Sequence, residues 1–236
     1  MAFSRYFDNS QLAEAIRIAN GQTKGVSHIN KFGFGGANTN SYTVWDGDSD
    51  YVYPSSAGVI TVTTGAADSG ATVEYQGLDG NYELITESIT GTQAGGTGTE
   101  SFLRVFRGVV TNHSGTNAAD ITATINGETA AIVTAGEGQT LMAVYTVPAN
   151  KTAFMKHLHA APTKKDNDTV ITLKARPFGG TFNTKGKFAS TGDPVHYDYH
   201  VPIKFEEKTD IEIKAENQAA SGSISALFDL ILVDDF

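Results

Sequence analysis

The sequence predicts an all-β protein: an antiparallel β-sandwich or jelly-roll-like fold, with room for two β units and one short N-terminal helix. Three observations predict it. From His28 onward, apolar and polar residues alternate in run after run, the period of a half-buried strand. Thr outnumbers even the 25 Gly, and β-branched residues suit pleated surfaces. Turn signals separate the runs: Asp46-Gly47, Asp79-Gly80, Asn126-Gly127, Pro148-Ala149-Asn150 and Thr191-Gly192-Asp193-Pro194.

The helix comes first. Ser10 can cap the amides of Leu12 or Ala13. Leu12, Ala15, Ile16 and Ala19 follow helical spacing and form one apolar stripe, and Asn20-Gly21 offers a left-handed stop. So short a helix must dock on its own domain or on a partner. Among the strands, Phe102, Arg104 and Phe106 oppose Leu103, Val105 and Arg107. Ile171, Leu173 and Ala175 alternate with Thr172, Lys174 and Arg176, and Ile211, Ile213 and Ala215 with Glu212, Lys214 and Glu216. Gly91 to Thr99 reads as a flexible loop. The last strand is apolar on both faces. Ile224, Ala226, Phe228, Leu230 and Leu232 line one face; Leu227, Ile231 and Val233 line the other. It is either central in a sandwich or covered by another subunit. The expected division is a helical arm over 1–27, a β domain over 28–137 and a C-terminal β-sandwich over 138–236.

Composition narrows the function. A net charge of −9 argues against non-specific nucleic-acid binding. The absence of Cys excludes disulfides, thiolate metal sites and a Cys nucleophile. No apolar run approaches the ~20 residues of a membrane span, and Met1 to Asp8 lacks a secretory pattern. Synthesis in a cytoplasm is the expectation. Charge is segregated: residues 151–187 hold 8 basic and 2 acidic side chains, while 188–236 hold 3 basic and 10 acidic. Either adjacent strands fold these charges together as cross-strand pairs, or a basic patch faces an acidic partner.

Several clusters could carry chemistry. Asp46, Asp48 and Asp50 begin like a calcium loop, but Tyr51 and Ala57 stand where Gly and Glu are needed. His157 and His159 share a strand face, as do His196, Asp198 and His200. If those strands met, they could bind zinc, nickel or iron. Exposed or hydrogen-bonded structural histidines are the default, so no metal and no cofactor is assigned. Gly33 to Gly36 and Gly180 to Lys187 read as turns rather than phosphate loops. Trp45 with Tyr42, Tyr51 and Tyr53 is either core packing or an aromatic platform for a glycan. No GxSxG or HExxH is present, and no catalytic residue is assigned.

The segments Ile29-Asn30-Lys31-Phe32-Gly33, Val44-Trp45-Asp46-Gly47 and Tyr51-Val52-Tyr53-Pro54 open a recurring order. Gly77-Leu78-Asp79-Gly80, Glu87-Ser88-Ile89-Thr90-Gly91-Thr92 and Leu103-Arg104-Val105-Phe106 continue it. Asp120-Ile121-Thr122-Ala123, Gly136-Glu137-Gly138-Gln139 and Tyr145 to Ala153 complete it. This order, over roughly Ile29 to Phe182, resembles a family of structural proteins from tailed bacteriophages, many of them marine. The rest is similar to a generic viral β-sandwich. The resemblance implies a virion component and transfers no catalytic or ligand residue. The leading expectation is a non-enzymatic capsid decoration or cement subunit. It would be homo-trimeric and partnered with the major capsid protein, with no nucleic acid or membrane partner. Interface candidates are Leu12, Ile16, Lys151, Lys156, Arg176, Leu227, Ile231 and Val233. The alternatives are a tail, adaptor or fibre component, a carbohydrate-binding module for host attachment, and, third, a hydrolase built on a carboxylate pair.

Overall fold

The computed structural model describes residues 14–37, 39–112, 115–163, 168–218 and 222–235. Among them sixteen strands follow a short helix over 14–19. The first nine are β1 (Val26–Ala37), β2 (Tyr42–Thr43), β3 (Gly58–Thr63), β4 (Thr72–Leu78), β5 (Leu84–Thr90), β6 (Gly96–Phe102), β7 (Arg104–Asn112), β8 (Ile121–Ile125) and β9 (Glu128–Val133). The rest are β10 (Val144–Thr146), β11 (Lys151–Pro162), β12 (Thr169–Arg176), β13 (Asn183–Ser190), β14 (Val195–Phe205), β15 (Asp210–Asn217) and β16 (Gly222–Asp234).

Eight of these strands make a jelly roll. β1 pairs with β16, β10 with β15, β11 with β14 and β12 with β13, all antiparallel. That is one long folded hairpin, first strand to last. Rolling it places β16 beside β11 and β15 beside β12. The two sheets are therefore β1-β16-β11-β14 and β10-β15-β12-β13, with β2 added beside β15, the double-sheet arrangement of two Greek keys. Their inner faces interleave as one core that includes Met155, Leu158, Ile171, Leu173, Ile213 and Phe228. The alternation expected along residues 171–175 and 211–215 points Ile171, Leu173, Ala175, Ile211, Ile213 and Ala215 into it.

A second sandwich is inserted between the first two strands of the roll. Its sheets are β6-β3-β8-β9 and β5-β4-β7, packed around Ile60, Val62, Val73, Tyr75, Ile121 and Val133. The neck is closed by backbone pairing: Trp45 bridges Met142, and the Ala143 amide donates to the Val44 carbonyl at 2.9 Å. The chain thus nests one sandwich inside another. β1 lies N-terminal to the 137/138 division read from the sequence, yet it pairs along its whole length with β16.

All five turn signals fall between strands. Asn126 and Gly127 both have positive φ (51° and 87°), as a two-residue hairpin turn between β8 and β9 requires. The helix stop also holds. Gln22 donates to the Arg17 carbonyl and Gly21 to that of Ile18, the paired bonds of a Schellman ending.

Four local readings are corrected. Residues 102–107 are not one strand: β6 ends at Phe102 and β7 starts at Arg104, because the buried Arg104 turns toward an acidic partner in the jelly roll. Gly91 to Thr99 is not all loop, since Gly96 and Gly98 lie in β6. A Cβ on Gly96 would stand 1.9 Å from the Thr90 carbonyl oxygen, so glycine serves close approach there rather than flexibility. Gly33 to Gly36 is the interior of β1, not a turn; a Cβ on Gly33 would meet the Val44 carbonyl oxygen at 2.3 Å. Finally, the helix turns Ala15, Ile18 and Ala19 toward the sheet, leaving Ile16 50% exposed. The set 15, 18, 19 fits helical spacing as well as the stripe through Ile16. Ser10 and Leu12 lie outside the described residues.

Candidate functional site

The outer face of sheet β1-β16-β11-β14 collects most of the polar chemistry. Register builds it. Asn30 on β1 stands opposite Asp229 on β16, Asp229 opposite His157 on β11, and His157 opposite Asp198 on β14. The next row runs Phe32, Leu227, His159, His196. One backbone irregularity makes this possible. Ala153, Met155, Leu158 and Ala160 are all buried, which strict alternation cannot achieve. Between Met155 and His157 the pairing with β16 slips by one residue. This bulge at Lys156 reverses the phase of the strand, so His157 and His159 face outward.

The histidine strands do meet. His157 Nδ1 lies 2.5 Å from Asp198 Oδ1, and His196 Nε2 lies 3.0 Å from the same oxygen. The His157 and His196 rings are near parallel, 18° apart in plane. His159 packs beside them, its ring centroid 5.9 Å from that of His196. The hydrogen bond with His157, aided by the nearby His196, holds the Asp198 carboxyl below its ordinary range. Ligating atoms of His157, His196 and Asp198 all lie within 4.8 Å of one another, so these three could hold a metal ion. Across the sheet, Asn30 Nδ2 donates to Asp229 Oδ1 at 2.6 Å, and His28 Nε2 lies 3.3 Å from that oxygen.

The helix over 14–19 lies above this face. Between them is a cavity of about 570 Å³, lined in part by Ala15, Ile18, His28, His157, Asp229 and Ile231. Of the interface candidates, Ile231 is thus beneath the helix, while Leu227 and Val233 are half-buried on the same face. β16 is a central strand, flanked by β1 and β11. Lys151 is paired with Asp234, and Arg176 with Asp210; Lys156 is exposed at the bulge. These two basic side chains are therefore folded against acidic ones of neighbouring strands, as cross-strand pairing predicts.

A second polar cluster joins the two sandwiches. Asp210 on β15 accepts from Arg104 Nε at 2.9 Å, Arg176 Nε at 2.9 Å and Thr146 Oγ1 at 2.6 Å. Arg104 comes from the inserted sandwich and also donates to the Pro54 and Leu103 carbonyls. Nearby in the same interface, Lys31 is buried and donates to the Phe106 carbonyl. Burial, with the charge of Arg107, lowers its ammonium pKa to about 7. Burial raises the Glu212 carboxyl to about 7, although Lys214 and Thr43 oppose the shift.

The other candidates disperse. Asp46 accepts from the Leu141 amide at 2.6 Å and from Thr134 at 2.8 Å, helping to close the neck; burial raises its carboxyl to about 6. Asp48 accepts from the Gly36 amide, and Asp50 pairs with Lys214 at 2.6 Å. No shared calcium loop remains. Trp45 and Tyr51 are buried, edge to face at 5.1 Å, with the indole N–H donating to Ser49. Their rings belong to the core, so they offer no platform for a sugar. Sequence reasoning missed Asp229, Asn30 and Asp210. Asp229 carried a signal, a lone charge inside an apolar strand. The other two acquire partners only through pairing distant in sequence.

No family model matches the chain, and no curated protein matches it. Solved structures with some likeness include the Yersinia pseudotuberculosis-derived mitogen, at 14% identity and a TM-score of 0.23, covering 36% of this chain and 80% of that one. A structure of infectious bursal disease virus, Gt strain, gives 11% identity and 0.24, covering 90% and 73%. The cowpea mosaic virus top component gives 9% and 0.22, covering 73% and 80%. TM-scores this low bear on neither the fold nor the role of this chain. Among the described residues no helix is long and apolar enough to cross a membrane.

Proposed function

We propose that this chain is a non-enzymatic virion structural protein of a tailed bacteriophage, a capsid decoration subunit acting as a homo-trimer. The observation that carries the reading is the strand order. A double-sheet jelly roll is an architecture that capsid proteins share with lectins and cupins. Fold alone does not choose among them, and two local facts favour the first. The space between the sheets is filled by apolar side chains such as Met155, Leu158 and Phe228, where a cupin holds its site. The Trp45 and Tyr51 rings that would stack on a sugar are core.

Assembly has surfaces to use. β14 is an edge strand carrying Val201, 78% exposed, and the exposed Tyr197. Phe178 is 66% exposed on the turn after β12. Exposed edges and large apolar side chains mark sites that another chain can cover. Work of this kind is mechanical: burial across neighbouring shell subunits stabilises the shell by mass action. Shells lacking this protein should bind the purified chain saturably in a co-sedimentation assay, and sedimentation velocity should give a trimer. A monomer that leaves such shells unbound would refute the reading.

A further inference from the structure

We propose that His157, His196 and Asp198 form a divalent transition-metal site of the zinc class on the outer face of the jelly roll. The inference does not depend on the virion reading. Zinc accepts imidazole nitrogen and carboxylate oxygen at about 2.0–2.2 Å, so tetrahedral donors stand about 3.3–3.6 Å apart. Here two imidazole nitrogens lie 2.5 and 3.0 Å from one carboxylate oxygen, and all three donors converge within 4.8 Å. The side chains are 40–61% exposed, so small rotations open the cluster to the metal spacing without disturbing the core. Three protein ligands leave a fourth position open to solvent.

The backbone supports the assignment independently. The bulge at Lys156 is what turns His157 outward, and bulges recur where a strand re-aims a functional side chain. The adjoining ladder is irregular too. Between Met155 and His157, β14 runs from Ile203 to Asp198, five residues against two. An ion held by β11 and β14 together would pin the edge strand where its ladder pairing is interrupted. Asp229 is the cross-strand neighbour of His157 on β16, and its carboxylate is held by Asn30 and His28.

The test is isothermal titration of the metal-free full chain with Zn²⁺, with Co²⁺ spectra as a second readout. One ion per chain should bind. Zn²⁺ at 100 times its Kd should raise the thermal midpoint by about 5–10 °C. His196→Ala and Asp198→Asn should weaken binding at least tenfold, while His200→Ala, on the same strand, should not. Co²⁺ should show visible bands of a low-coordinate site that His196→Ala removes. These substitutions are at exposed positions, and the metal-free midpoint checks that each variant folds. No saturable heat in the wild type would overturn the proposal. So would equal affinity in His196→Ala and Asp198→Asn, which would place any bound ion elsewhere.

Discussion

Removing the Asp210 carboxylate should loosen the joint between the two sandwiches. In Asp210→Ala, Arg104 keeps the Pro54 and Leu103 carbonyls but loses both bonds to its carboxylate, at 2.9 and 3.3 Å. Arg104 is 6% and Asp210 3% exposed, so water cannot replace the lost anion. Breaking a buried ion pair from one side costs about 3–5 kcal/mol. For a chain of this size that is a fall in midpoint of roughly 6–20 °C. Replacing both partners with apolar residues, Arg104→Met with Asp210→Leu, removes the stranded Arg104 charge and should recover part of the loss, the rest staying with Arg176 and Thr146, which also lose Asp210. The assay is urea unfolding followed two ways. Trp45, the single tryptophan, sits in the inserted core, and far-UV circular dichroism reports both sandwiches. In the wild type the two curves should coincide; in Asp210→Ala they should separate, since Arg104–Asp210 links one sandwich to the other. A loss under about 1 kcal/mol, or single-variant losses that simply add in the double variant, would refute the reasoning.

Three further outcomes follow from buried groups and close packing. Glu212 has its folded pKa raised to about 7 from 4.5, so the folded state holds the proton more tightly and stability falls as pH rises between those values. Glu212→Gln should flatten that slope and stabilise the protein at pH 8 by up to about 3 kcal/mol, read by urea midpoints across pH. Lys31 runs the other way. Its folded pKa is lowered to about 7 from 10.5, so the unfolded chain binds the extra proton in that window and stability rises with pH across it. Lys31→Met should abolish the rise and stabilise the protein at pH 7 by at most about 5 kcal/mol. Gly33→Ala should destabilise by more than the ~1 kcal/mol spread of strand preference, because its Cβ would meet the Val44 carbonyl oxygen at 2.3 Å; thermal melts decide it.

What was legible in the sequence was local. The alternation at 171–175 and 211–215, the five turn signals and the helix stop each follow from residues within a few positions of one another. The jelly-roll pairing could not be read that way. β1 finds β16 across nearly the whole chain, and nothing near Val26 specifies that partner. The same limit governed the sites. The faces of His157 and His159, and of His196 and Asp198, were readable from spacing two. Their meeting depended on β11 lying beside β14 and on a bulge that no periodicity announces. Arg104 read as one member of an alternating strand because its partner Asp210 is 106 residues away. Trp45 read first as packing, with a sugar platform left as the lesser alternative, since composition does not say which side of an aromatic cluster faces water.

On the proposed function, this jelly roll is a repeated part of a virus particle. The most direct measurement is the number of copies per virion, by quantitative peptide mass spectrometry against the major shell protein. The account predicts hundreds of copies, as a subunit spread over the capsid lattice requires. A dozen or so would contradict decoration and move the chain to the tail axis, and absence from purified particles would contradict the virion role altogether.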